Sequence, residues 1–363
     1  MRARLLVPFL VSLGSNFIYA ASTPHEALLV LSKGDHTIAI VDPSNLKVIA
    51  KAPVGEDPHE VIASSDGKFA YVSNYGGGAY NTLALIDLVH QKALTSIDLG
   101  PMRGPHGLTF MDGKVWFTAE GAKAIGRYDP AKKAVDWILG TGQNRTHMIF
   151  VSEDLKRIFT TNVSSGTVSI IEKIARPAPS GPGGRQGGPP MPPPGAGPMP
   201  PLGGRGPMGP PGGDWNETVV PVGRGDEGFD LTPDGEQLWT ANAQDGTISI
   251  IDLSEKKVTD TVQANVSGAN RLKFTPDGKL AFISCLSSSV LTILDSADHK
   301  EIKRLDLGHG GAAGIQMQPD GSRAYVAVTG GNYVAVIDLK TLEISGRIDA
   351  GPQPDGLAWS VLR

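Results

Sequence analysis

The chain has 363 residues, 40% hydrophobic and 19% charged, which is enough apolar content to bury a large core. Its formal net charge is −4 and it has no basic run, which argues against nucleic-acid binding driven by counterion release. A single cysteine, Cys285, excludes an internal disulfide, so stability must come from packing.

The first segment, MRARLLVPFLVSLGSNFIYAAS, places Arg2 and Arg4 ahead of an apolar stretch and ends in small residues at Ala20–Ser22. That is the anatomy of a secretory signal peptide over residues 1–22, too short and too interrupted for a membrane span. No later segment approaches the apolar length of a transmembrane helix, so the mature chain is expected to be periplasmic or secreted.

From about residue 27 the chain reads as short β-type runs. Three come first: EALLVLS, TIAIVD and KVIAKAPVG. Six similar units follow, opening on PHEVIASSDGKFAYVSN (58–74), PHGLTFMDGKVWFTAE (105–120), THMIFVSEDLKRIFTTN (146–162), DEGFDLTPDGEQLWTAN (226–242), ANRLKFTPDGKLAFISC (269–285) and AAGIQMQPDGSRAYVAV (312–328). Each is two runs rich in β-branched and aromatic residues joined by a tight turn. A third run such as ISIID or VAVID follows in most units, and a fourth such as KALTSIDLG or EIKRLDLG closes them. A lone first strand, DGLAWSVL, ends the chain.

The period follows from the residues that open each first strand: His59, His106, His147, Glu227, Asn270, Ala313 and Asp355. Their spacings are 47, 41, 80, 43, 43 and 42, and the outlier contains a Pro/Gly-rich segment of 39 residues, 176–214, whose removal leaves 41. Four strands in about 42 residues is the signature of a β-propeller blade. The expected fold is therefore all-β: a seven-bladed β-propeller of four-stranded antiparallel blades spanning 27–363. It is closed by pairing of the N- and C-terminal strands, which removes free sheet edges. Segment 176–214 falls between the third and fourth strands of blade 4. Its composition predicts a disordered or polyproline-like surface expansion, with a partner tether as the alternative.

The strings AYVSN, FTTN and WTAN, with the recurrent PDG and VSIIE-like runs, resemble the YVTN-type β-propeller repeats of secreted bacterial proteins. One stretch, GPHGLTFMDGKVWFTAEGAKAIGR (104–127), is similar to the repeats of streptogramin B lyase propellers.

In a propeller the first strands line the central channel, so their leading residues should meet at one mouth, here called the upper one. Three imidazoles on neighbouring blades with carboxylates close by suit a divalent first-row metal, with His59, His106, His147 and Glu227 as candidate ligands. The candidate ligand-binding set adds Asn270, Asp355, Arg103, Arg145 and His309. The turns between second and third strands bring His36, Tyr75, Asn81, Glu120, Asn162 and Asn242 to the same face, whereas His90 and His299 fall on the opposite one. Because a propeller channel is open to water, the ring is expected to be wet, with its members needing no partners. The asparagines Asn162 and Asn242 are expected to form turns in left-handed backbone geometry.

Two functions follow. The first is a secreted binding protein that takes a small molecule, a metal or a protein at the upper mouth. The second, implied by the lyase likeness and by lactonase propellers, is a metal-assisted lactonase or lyase. In it His106, His147 and Glu227 divide between general base and metal ligands. DNA binding, known among relatives, ranks third, because the acidic balance disfavours it.

Overall fold

A computed structural model describes residues 22–174 and 215–363. The signal-peptide segment and the Pro/Gly-rich segment 176–214 lie outside the described residues, apart from Ser22. Among the described residues no helix is long and apolar enough to cross a membrane.

Seven antiparallel sheets form the ring, and their inner strands are Pro354–Val361 in blade 1, Pro58–Ala63, Pro105–Met111, Thr146–Val151, Asp226–Leu231, Ala269–Phe274 and, in blade 7, Ala312–Met317. Blade 1 joins the last strand to Glu26–Ser32, Thr37–Asp42 and Lys47–Pro53, so Leu28 faces Trp359 and Val30 faces Leu357 across the closure. The expected terminal pairing is therefore the observed one. In blade 2 the fourth run, KALTSIDLG, is not one strand but two fragments, Lys92–Ala93 and Ile97–Asp98.

The alternating runs bury one face of each sheet against the next blade, giving apolar clusters between blades rather than one central core. Hydroxyls stitch neighbouring blades together. Thr118 accepts a hydrogen bond from the Gly107 N–H of its own blade (2.9 Å) and donates one to the His147 carbonyl of the next (2.6 Å). Thr161 and Ser284 repeat the pattern towards Glu227 O (2.9 Å) and Ala313 O (2.5 Å). This is why a hydroxyl residue recurs just before the end of the second strand, at Thr118, Thr161 and Ser284, whereas Ser73 at the same place bonds only Glu60 of its own blade.

The asparagines that end these strands do not adopt left-handed backbone, contrary to expectation. They are buried and spend their amides within the blade: Asn162 Nδ2 donates to Ser169 Oγ (2.9 Å), and Asn242 Nδ2 donates to Thr247 Oγ1 and Ser249 Oγ (both 2.9 Å). A buried amide needs partners more than a turn needs asparagine.

Candidate functional site

The seven predicted residues do ring the channel, each as the second rather than the first residue of its inner strand. They are not wet. His106 and His147 are each 2% exposed, and Asn270, Ala313 and Asp355 are also buried, leaving only His59 and Glu227 half-buried. The cause is the residue that follows. A Cβ on Gly107 would sit 2.5 Å from the His147 carbonyl oxygen, and one on Gly228 2.5 Å from that of Asn270. With no side chain there, adjacent inner strands close up and water is squeezed from the ring. The expectation of an open, solvated mouth is corrected accordingly.

A dry ring must pair its polar atoms. Moving round it, Lys33 lies 3.3 Å from both Asp355 and Asp57 and donates to His59 Nε2 at 2.9 Å. His59 packs edge-on to His106 with ring centroids 4.9 Å apart, and His106 lies 3.8 Å from His147. His147 Nδ1 donates to Glu120 Oε1 at 2.5 Å, and its Nε2 faces Glu227 at 3.6 Å. Tyr75 donates to the other Glu120 oxygen at 2.5 Å, and Asn270 donates to Glu227 at 3.1 Å. Arg145, whose φ of +53° is a conformation rarely adopted by residues with a side chain, reaches Glu120 (3.5 Å) and Glu227 (3.7 Å).

The charge states follow from these neighbours. Burial, and then the charge on His147, push His106 well below the usual imidazole range, so it is neutral. Burial also opposes charge on His147, but Glu120 and Glu227 outweigh it and raise this imidazole. Burial would raise Glu227, yet His147, Arg145 and Arg271 bring it down to about 2. Burial and the nearby Lys33 lower His59, against the pull of Asp355 and Asp57.

Two buried nitrogens, His106 Nδ1 and His147 Nε2, have no hydrogen-bond partner among the described residues. The two rings and Glu120 form a compact donor set: His106, Glu120 and His147 each offer one ligand atom, and these lie within 4.8 Å of one another. A tetrahedral zinc site, with ligands about 2.0–2.1 Å from the ion, requires these donors to draw together by no more than about 1.5 Å. Of the four predicted metal ligands, His106 and His147 belong to this set, Glu227 borders it, and His59 is turned to the Lys33 ammonium. Asn270 and Asp355 are committed to Glu227 and Lys33. Arg103 and His309 are exposed at the rim, Arg103 bonding Ala79 O at 3.4 Å. The opposite-face histidines pair with acids, His90 with Asp87 and His299 with Asp260.

Sequence spacing missed three members. Glu120 was placed on this face but not among the ligands; it sits in a short 3-10 turn, Glu120–Ala122, directly after the strand. Arg271 and Glu60, each one residue past the ring, form a buried ion pair between blades 6 and 2. Below them lies a cavity of about 350 Å³ lined by Ile149, Phe229, Ile315 and Leu357, among others.

No family model matches the chain, and no curated protein matches it in sequence. Solved structures do resemble it. A functionally unknown protein from Desulfotomaculum acetoxidans shares 13% identity over 92% of this chain and 98% of its own, with a TM-score of 0.69. A Bacteroides fragilis protein provisionally described as a 6-phosphogluconolactonase shares 13% identity over 93% and 99%, with a TM-score of 0.65. Hydrazine synthase of Kuenenia stuttgartiensis shares 16% over 83% and 89%, with a TM-score of 0.61. The likeness is one of fold. At such identities the shared ring architecture says nothing of the chemistry at its mouth.

Proposed function

We propose that this chain is an exported propeller of the YVTN type that binds a divalent first-row metal ion at its upper mouth through His106, Glu120 and His147. Bound there, the ion presents an open coordination position to a small ligand. The observation that carries this reading is the pair of buried, unpartnered imidazole nitrogens beside the ionised Glu120. An unpaired buried polar atom is costly, and a cation held by both rings and the carboxylate would relieve that cost. His147 now holds a proton between two carboxylates, a place that suits a cation of either kind. Arg145, partly exposed above the site, is placed to meet an anionic group on the ligand.

Elemental analysis of the purified, untagged protein tests the proposal. About one equivalent of a divalent metal is expected, and His106→Phe, which keeps a flat ring but no donor, should carry none. Equal metal content in both proteins, or none in either, would reject it. Export is tested separately, by whether the protein is recovered outside the cytoplasm with residues 1–22 removed.

A second reading is metal-assisted opening of a lactone or ester. Glu227 favours it: ionised, bordering the three ligands and not one of them, its carboxylate can accept and return a proton within reach of a metal-polarised carbonyl. The description of the Bacteroides fragilis neighbour points to the same reaction class. Turnover of a lactone and ester panel that disappears in His106→Phe would support it, and a silent panel with metal bound would leave the binding function alone.

A further inference from the structure

Six blades end in one continuous outer strand of six or seven residues, but in blade 2 the strand is broken into Lys92–Ala93 and Ile97–Asp98. A bulge alone is not the reason. Between the pairs Ile86↔Ala93 and Leu83↔Ile97 the outer segment has one residue more than its partner. Blades 5 and 6 carry the same one-residue bulge at the same rung, at Ile250/Ile251 and Ile293/Leu294, and still close the ladder. In blade 2 the Leu94 N–H still bonds the Leu85 carbonyl at 2.7 Å, but Thr95 and Ser96, both exposed, belong to no strand.

Behind this gap a cleft of about 830 Å³ runs between blades 2 and 3. Its walls include Phe69, Tyr71, Leu85, Ile97, Tyr128 and Pro130. Its size and apolar walls are those of a small-molecule pocket. Tyr71 and Tyr128 are only 4% and 7% exposed, yet neither hydroxyl has a hydrogen-bond partner among the described residues. Both hydroxyls are reached from the cleft rather than sealed in the core, so they are open to a bound acceptor. The acid of the cleft, Asp98, is already taken by Asn81 Nδ2 (2.9 Å) and the Gly100 N–H (2.8 Å). Lys133, at the rim, has no ion-pair partner among the described residues.

We propose that this cleft binds a small, flat, apolar molecule bearing an anionic group. Its rings would lie against Phe69, Leu85 and Ile97, and its anion would accept from the Tyr71 and Tyr128 hydroxyls with Lys133 nearby. Two hydroxyl donors and the Lys133 ammonium open into the cleft, while Asp98, the acid in its lining, is already hydrogen-bonded, so the cleft offers donors and a cation to an acceptor. Burial and the neighbouring Tyr128 push the Tyr71 hydroxyl up to about 12, so it remains a donor throughout the ordinary pH range. The site lies between two blades, away from the channel mouth, and its occupation does not depend on the metal.

The probes are 8-anilinonaphthalene-1-sulfonate and its uncharged counterpart N-phenyl-1-naphthylamine, titrated by fluorescence into the full chain. The sulfonate should bind saturably and more tightly than the neutral amine. Tyr71→Phe with Tyr128→Phe should weaken the sulfonate about tenfold, the scale of lost hydrogen bonds to a charged group, and the amine far less. Lys133→Glu should weaken only the sulfonate, by about threefold. Ser96→Trp, filling the gap from an exposed position, should abolish binding of both. Absence of saturable binding, or sulfonate binding that survives Ser96→Trp, would overturn the proposal. If the double tyrosine variant does not fold, Ser96→Trp and Lys133→Glu carry the test, since both sites are exposed.

Discussion

Arg271 of blade 6 pairs with Glu60 of blade 2, and Arg271 also donates to the Asn270 carbonyl at 3.0 Å. Both side chains are buried, and the pair lines the cavity that lies below the histidine-lined mouth. Four of the remaining inner-strand positions at this level, Gly107, Gly228, Gly314 and Gly356, have no side chain. The pair therefore occupies much of the space the glycines leave.

Breaking the pair should be far worse than removing it. Arg271→Met strands the Glu60 carboxylate in a dry site and should cost about 3–5 kcal/mol of unfolding free energy. Adding Glu60→Leu should restore most of that loss, because two apolar residues then replace two desolvated charges. Denaturant unfolding of the single and double variants measures both, and a double variant no more stable than Arg271→Met would refute the pairing.

His147→Ala should destabilise the fold, the reverse of what an open, wet ring implies. It opens a void beneath His106 and removes the main partner of the buried Glu120 carboxylate, together costing about 2–4 kcal/mol. His106→Phe, at a position with an unpaired nitrogen, should cost less. Thermal unfolding of the two variants gives the order directly.

Asp226 supplies a pH dependence. Burial raises its carboxyl to about 8, against the hydrogen bond it accepts from the Asn162 N–H at 3.1 Å. Unfolded aspartate titrates near 3.9, so between about pH 4 and 8 the native state holds a proton that the unfolded state has lost. The contribution of this residue to stability is full below that window and is lost as pH rises through it. Asp226→Asn keeps an acceptor for Asn162 and has no such proton. It should be more stable than the parent near pH 8, with the advantage shrinking toward pH 5, as pH-resolved denaturation would show.

The blade stitches predict a periodic sensitivity. Thr118→Val and Thr161→Val each remove a hydroxyl that joins two blades and leave a backbone carbonyl unmatched, at about 1–3 kcal/mol apiece. Ala241 occupies the equivalent position in blade 5 and has no hydroxyl to lose. Ala241→Ser should therefore be tolerated, with little change in melting temperature.

Much of the fold was legible because blade geometry imposes a repeat, and the repeat survives as turns and strand runs. The ring was legible for the same reason: one residue per period must lead the inner strand. Its dryness was written in the glycines after His106, Glu227, Ala313 and Asp355, but only as an absence of bulk, whose effect depends on how near the next strand comes. Glu120 and Arg271 lie off the repeating position, so no period marks them. Their roles depend on partners 27 and 211 residues away along the chain. The gap in blade 2 left no trace either, since Thr95 and Ser96 keep the register of a strand while failing to pair.

Cobalt(II) titration followed by visible absorption probes the histidine–carboxylate cluster most directly, because band intensity and position report low-coordinate nitrogen and oxygen ligation of the ion itself. Saturation at about one equivalent is expected, with the bands lost in His106→Phe and weakened in Glu120→Gln while both variants remain folded. A spectrum matching cobalt in buffer, or one that persists in His106→Phe, would contradict metal binding by His106, Glu120 and His147.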